Sequence, residues 1–343
     1  MPILEVNHLK TYYITGKGDV KAVDDVTFKL EKGKTLGLAG ESGSGKTTIG
    51  LSVMKLLPPN GKIVDGDIII DGESIVDKDE EIMRKKYRWK KVSMIFQGAM
   101  NSLNPVLRVG DQIAEVLMLH QGLSKEEAIS TVKELFTLVG LDPGRVYDYP
   151  HQFSGGMKQR AVIAMAIATT PDIIIADEPT TALDVTTQAQ IIELLKGLKR
   201  RYGLSIIYIT HDLGVLAEIA DKVAIMYAGQ IMEYGDTIPV YKEPIHPYTK
   251  GLIYSVPTVL GAKRKEMFSI EGEPPDLANP PKGCRFAPRC PYAQEICYEK
   301  VPPEVEVDGQ IVRCHFAEEL KDVKPEEFWT SKEFWRRKKP IGE

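Results

Sequence analysis

GESGSGKT, residues 40–47, constrains this chain more than any other stretch. Two glycines with four residues between them are followed by lysine and threonine; an apolar run, TLGLA, precedes the stretch and a helix-forming segment, TIGLSVMKLL, follows it. Strand, glycine-rich loop and helix in that order make a phosphate-binding loop, the P-loop, and commit the surrounding chain to an α/β arrangement. Glycines let successive backbone N–H groups converge on a phosphate, and the helix start adds positive potential. Gly40, Ser42, Gly43, Ser44, Gly45 and Thr48 are therefore expected to line a nucleoside triphosphate site, with Lys46 reaching the β and γ oxygens and the Thr47 hydroxyl ligating Mg²⁺.

The rest of the chain agrees with that fold class. Short β-branched or apolar runs recur ahead of helical segments: TLGLAG at 35–40, VSMIFQ at 92–97, DIIIAD at 172–177 and SIIYIT at 205–210. Such alternation predicts a largely parallel sheet with helices on its faces. Between the second and third runs the chain reads as wholly helical, and Ser124 with Glu127 forms a capping box ahead of Ile129, Val132, Leu135, Phe136 and Val139 on one face. KVAIMYAGQIMEYG at 222–235 reads as a hairpin around Ala228 and Gly229, with the compact domain expected to end soon after. From Glu271 the chain is proline-rich, which predicts a linker or an extended wrap.

IIIADE at 173–178 places Asp177 and Glu178 at the carboxyl end of a strand, where ligands of such sheets bind. Asp177 is expected to hold Mg²⁺ through water, and Glu178 to orient and deprotonate an attacking water.

At 343 residues, a main domain and a smaller appendage are expected. A formal charge of -4 provides no basic field, which argues against sequence-independent capture of nucleic acid. No apolar run approaches the roughly 20 residues that span a bilayer, and the amino terminus, MPILEVNHLK, lacks the pattern of a secretion signal, so a cytoplasmic location is expected. All four cysteines lie beyond residue 283, at Cys284, Cys290, Cys297 and Cys314. In a reducing compartment, clustered cysteines favour a metal site over disulfides. Their spacings of five, six and sixteen intervening residues match neither a zinc knuckle nor a ferredoxin run, so spacing alone leaves zinc and iron–sulfur open.

FSGGMKQR, Phe153 to Arg160, resembles the signature motif of ABC ATPases, with Met157 where the family usually has Gln. Around it, Gln97 in MIFQ resembles the Q-loop glutamine, TALD at 181–184 the D-loop, and His211 in ITHD the switch histidine. The resemblance implies a cassette over 1–255: a RecA-like core with an antiparallel β subdomain and a helical subdomain near 98–168, followed by an extension over 256–343. It implies that two cassettes close head to tail around two ATP molecules. Lys46, Thr47, Gln97, Asp177, Glu178 and His211 would serve the chain's own ATP, with Gln97 also on Mg²⁺. Ser154, Gly155, Gly156 and Asp184 would serve the partner's. Tyr13 is chosen over Tyr12 as the aromatic that stacks on adenine.

FQGAMNSLNPVLRVGDQIAE at 96–115, HPYTKGLIYSVP at 246–257 and GEPPDLANPPKGCRFAPRCP are similar to the ATPase subunits of oligopeptide/dipeptide importers. That likeness implies ATP hydrolysis coupled to two transmembrane permease subunits at the cytoplasmic face of the plasma membrane, a second homologous ATPase as heterodimer partner, and an extracellular solute-binding protein acting indirectly. Oligosaccharide or nickel is the alternative cargo. A soluble non-transport ABC ATPase is the other alternative, disfavoured because the chain has one P-loop and one signature. The likeness also implies a [4Fe-4S] cluster on the four cysteines, with zinc as the alternative, clipping the proline-rich extension together. The closing segment, with Phe328, Trp329, Phe334 and Trp335 ahead of Arg336, Arg337, Lys338 and Lys339, reads as a solvated helix end, with contact to anionic lipid or a partner as the alternative.

Overall fold

The apolar runs that flank the P-loop are continuous rather than alternating, and the computed structural model shows why. It describes residues 1–16, 18–98, 102–255 and 270–323; the aromatic and basic closing segment lies outside them. Strands β3 (Thr35–Ala39), β6 (Val92–Ile95), β7 (Ile173–Asp177) and β8 (Ser205–Ile209) are buried at every position. A parallel strand covered on both faces has no side that tolerates a polar residue.

These strands form part of an eight-stranded sheet in the order β11-β12-β10-β9-β3-β8-β7-β6. Its middle is parallel, with β3 paired to β8 and to β9 (Lys222–Tyr227), and β7 between β6 and β8. The hairpin at 222–235 forms as expected: β9 turns into β10 (Gln230–Asp236) through Ala228 at φ 47° and Gly229 at φ 85°. That left-handed pair matches the twist of a tight hairpin. A second, four-stranded antiparallel sheet, β2-β1-β4-β5, is built from β1 (Pro2–Thr15), β2 (Gly18–Glu31), β4 (Gly61–Ile70) and β5 (Glu73–Ser74). Its buried face shares a core with β3, β7 and the helix Lys46–Met54.

Between β6 and β7, helices cover Val109–Gln121, Lys125–Leu138 and Gly155–Ile167. The Ser124–Glu127 capping box forms in both directions. Val132, Leu135, Phe136 and Val139 are buried, and Ile129 packs half-buried on the same core.

The extension is joined to this framework more closely than an appendage would be. Residues 271–283 run without helix or strand, as the prolines require, and are tied down where the Lys21 N–H donates to the Leu277 carbonyl at 3.0 Å. The chain then forms a hairpin, β11 (Glu304–Val307) and β12 (Gln310–Arg313), and β12 pairs with β10 in register Glu233↔Val312. The main sheet thus continues into the extension, because β10 would otherwise end it with a row of unpaired backbone groups. Phe286, fully buried, packs on Tyr227 and Tyr248 with ring centroids 5.2 and 5.3 Å away. Arg285 pairs with Asp24 and donates to the Ala228 carbonyl; Arg313 pairs with Asp25 and Glu304. Apolar and ionic contacts therefore hold the extension, whether or not a metal joins them.

Phe286→Ala is expected to lower the unfolding free energy by about 3 to 5 kcal/mol, the range for deleting a buried phenylalanine. Chemical denaturation followed by tryptophan fluorescence measures this, and an unchanged midpoint would show that the aromatic cluster does not anchor the extension.

Candidate functional site

At the carboxyl ends of β3, β6, β7 and β8 the backbone ladders stop and their last residues turn toward one another. β3 runs into Gly40 at φ 146°, where a Cβ would lie 2.1 Å from the Met226 carbonyl oxygen. Gly45, at φ 101°, would place a Cβ 2.1 Å from the Ala22 carbonyl oxygen. Only glycine fits either position, so the loop is held against β2 and β9. The Lys46 ammonium donates to the Gly40 and Glu41 carbonyls at 2.8 Å each and to Ser44 Oγ at 3.2 Å. Burial pulls its pKa down, opposed by Glu178, Asp177 and Glu41.

The loop opens on a cavity of about 470 Å³ lined by residues 42–48, Tyr13, Gln97, Glu178 and Leu277. Tyr13 stands at its edge, half-buried, with its hydroxyl 3.0 Å from Thr48 Oγ1. Tyr12, on the opposite face of β1, donates to Asp24 at 2.6 Å. Strand alternation thus turns Tyr13 toward the loop and Tyr12 away from it.

Glu178 follows β7 at φ 46°, a left-handed conformation uncommon for glutamate. Its amide N–H donates to the Ile209 carbonyl at 2.9 Å, which fixes it between β7 and β8. Three groups hold its carboxylate: Gln97 Nε2 at 3.2 Å, Thr181 Oγ1 at 2.9 Å and His211 Nδ1 at 3.1 Å. Burial pushes this carboxyl up, but the bonds from His211 and Thr181, and the charges of His211 and Lys46, outweigh it and leave the pKa below the ordinary glutamate value. Asp177 differs. It is 1% exposed, and neither carboxylate oxygen has a hydrogen-bond partner of good geometry among the described residues, although the Thr47 hydroxyl sits beside it. Burial, partly offset by Thr47, raises its pKa. A buried, unpartnered carboxylate next to a threonine hydroxyl is the donor set a magnesium ion takes, so Asp177 and Thr47 fit the ion assigned to them from sequence.

Ser154, Gly155, Gly156 and Asp184 are not part of this cavity. Ser154 caps the helix Gly155–Ile167 by accepting from the Met157 N–H at 3.3 Å, and Asp184 caps Val185–Tyr202 by accepting from the Thr187 N–H at 2.9 Å. The two helix starts lie side by side: a Cβ on Gly156 would meet Thr187 Cγ2 at 2.7 Å. Both caps are exposed, so free N–H groups and helix dipoles face outward together.

The four cysteines, reduced, line one small cavity with His246, Phe286 and Phe316. Cys284 and Cys297 are buried; Cys290 and Cys314 are half-buried. Backbone N–H groups point at three of the sulfurs: Phe286 and Ala287 at Cys284, Tyr292 at Cys290, and Phe316 at Cys314 at 3.4 Å. Even so, burial pushes Cys284 up to about 11, Cys314 up to about 12 and Cys290 well above the ordinary thiol value, so a bound cation is needed to make them thiolates near neutral pH. Among the described residues no group of three or more His, Cys, Asp or Glu side chains is placed to hold a metal ion, so the expected metal centre on these cysteines is not shown.

Three contributors escaped the sequence reading. Thr181 opens the TALD stretch, in which only Asp184 was given a role; Leu277 and Arg289, which bonds Glu41 of the P-loop at 2.8 Å, come from the extension and arrive only by long-range folding. Thr181→Val is expected to raise the Glu178 pKa, because removing a donor to the carboxylate disfavours its charged form. An NMR pH titration of the labelled Glu178 carboxyl measures this, and no upward shift would show that Thr181 does not tune it.

The chain matches a family model described as ABC transporter over residues 23–181, and one described as oligopeptide/dipeptide transporter, C-terminal region, over residues 232–297. It is 50% identical to the oligopeptide transport ATP-binding protein OppD of Bacillus subtilis over 308 residues, covering 89% of this chain and 86% of that protein. It is 49% identical to OppD of Salmonella typhimurium, covering 91% and 93%, and 49% identical to the dipeptide transport ATP-binding protein DppD of Lactococcus lactis, covering 92% and 89%. A solved dimeric ATP-binding cassette in a post-hydrolysis state, bound to ADP and Pi, superposes with a TM-score of 0.61 at 28% identity, covering 68% of this chain and 98% of that one. With the P-loop, Glu178 and the paired helix caps in place, these similarities lead to one conclusion: the chain belongs to the ATP-binding subunits of oligopeptide/dipeptide-type ABC transporters.

Proposed function

We propose that this chain hydrolyses ATP at the cavity above Lys46 to drive uptake of di- or oligopeptides, docked on two permease subunits at the cytoplasmic face of the membrane and paired with a second, homologous cassette. The observation that carries the hydrolytic reading is Glu178, held by Gln97, His211 and Thr181 at the end of β7 beside the P-loop. Its depressed pKa keeps it ionised at neutral pH, ready to accept a proton. In the reaction, Glu178 takes a proton from water as the water oxygen bonds to the γ-phosphorus. The bond from that phosphorus to the β–γ bridging oxygen breaks, and ADP leaves. Lys46 and the loop amides bind the phosphates, and His211 steadies Glu178 and faces the γ-phosphate. Asp177, Thr47 and Gln97 would hold Mg²⁺, which would supply charge neutralisation to the triphosphate.

Ser154, Gly155, Gly156 and Asp184 then act on the partner's ATP. Their exposure on one face, away from this chain's own cavity, supports that role. Among the described residues no helix is long and apolar enough to cross a membrane, consistent with peripheral attachment. The peptide cargo is supported by the similar oligopeptide and dipeptide transport ATP-binding proteins.

The cysteines are proposed to hold a [4Fe-4S] cluster, whose contribution is to clip the loops bearing them. Four inward thiols around one cavity and N–H donors to the sulfurs support it.

Glu178→Gln is expected to cut hydrolysis by about 10² to 10⁴-fold while ATP binding persists, since the amide keeps the shape and loses the base. Measured in the reconstituted transporter, undiminished turnover would remove Glu178 from the chemistry. Stimulation of that turnover by binding protein loaded with peptide, and not with oligosaccharide or nickel, is the expected cargo result. Anaerobically purified protein is expected to contain about four irons and four sulfides per chain; one zinc and no iron would overturn the cluster.

A further inference from the structure

Glu41, inside the P-loop, is gripped from the extension. Arg289 donates from both terminal nitrogens to its two carboxylate oxygens, at 2.8 and 3.0 Å. The remaining donors of the guanidinium go to the Tyr227 hydroxyl at 3.2 Å and to the Glu271 and Ile270 carbonyls at 3.0 and 3.2 Å. All five N–H groups are thereby satisfied, the side chain is 6% exposed, and it lies over the Tyr227 ring at 5.5 Å. The backbone of Glu41 is held from the same side, its N–H donating to the Tyr248 hydroxyl at 3.0 Å. Its carbonyl in turn accepts from the Lys46 ammonium at 2.8 Å and the Ser44 N–H at 3.2 Å. Glu41 is therefore where the extension meets the two groups that shape the phosphate cradle.

We propose that Arg289 is a positioning residue for nucleotide binding: through its bidentate bond to Glu41 it sets the P-loop that receives the phosphates, which makes the extension a working part of the ATP site. A fully satisfied, buried fork on a carboxylate fixes position and orientation together, which a surface ion pair does not. Surface pairs elsewhere in the chain, such as Lys85 with Glu81, are exposed on both sides. Leu277 lines the same cavity, so the extension reaches it from a second direction.

The inference rests on the P-loop being the ATP site, and the experiment separates the two. Full-length protein, with its cysteine centre intact, is titrated with Mg·ADP, and failure of the wild type to bind would sink the site itself. Given binding, Arg289→Met and Glu41→Gln are each expected to weaken ADP about tenfold, and the double variant no more than Arg289→Met alone, because the two side chains act as one unit. Arg289→Lys, which keeps the charge and loses the fork, is expected to fall between wild type and Arg289→Met. In the reconstituted transporter, KM for ATP is expected to rise with kcat unchanged, a split that a loss of folded protein would not produce. Wild-type affinity in Glu41→Gln and Arg289→Lys would overturn the proposal, as would additive losses; these two variants decide it if Arg289→Met does not fold.

Discussion

The site depends on the register of four parallel strands. Because β7 pairs with β8 so that Asp177 lies opposite Ile209, and β3 with β8 so that Leu38 lies opposite Ile209, the chain leaves the sheet at the same level in all three. A slip of one residue would turn every side chain to the other face and carry the turns apart. The hydrogen-bond ladder thus converts residues more than 130 positions apart in sequence, such as Lys46 and Glu178, into neighbours that shift each other's pKa.

Two neighbouring acids at the end of β7 are put to opposite uses by their surroundings. Glu178 has three donors and stays charged; Asp177, buried with none of good geometry, has an energetic reason to want a cation. Local burial and partners, not residue type, would separate the proposed proton acceptor from the proposed metal ligand. The caps at Ser154 and Asp184 are exposed outside this cavity, where their helix starts could receive the phosphates of a second cassette, as proposed above.

The extension proves to be neither linker nor ornament. Its hairpin closes the edge of the main sheet, its Phe286 enters the core, and Arg285, Arg289 and Arg313 reach back to Asp24, Glu41 and Asp25. A segment with so few apolar residues gains its hold from buried charge pairs on the strands next to the P-loop and from the aromatic cluster, to which a cluster on the four thiols would add a covalent clip.

What the sequence by itself determined is whatever depends on short spacing: the P-loop, the capping box at Ser124, the buried strand runs, the hairpin at Ala228 and Gly229, and the acids that end IIIADE. Turn, cap and strand propensities act over a few residues, so their signals survive in a linear reading. The pairing of β1 with β4, some fifty or more residues away, and that of β12 with β10 were decided only by tertiary structure. So were Thr181 on Glu178, Leu277 at the cavity and Arg289 on Glu41, and the gathering of four irregularly spaced cysteines around one space. Each depends on which distant surface remains to be covered once the local elements have formed, and no local pattern encodes that.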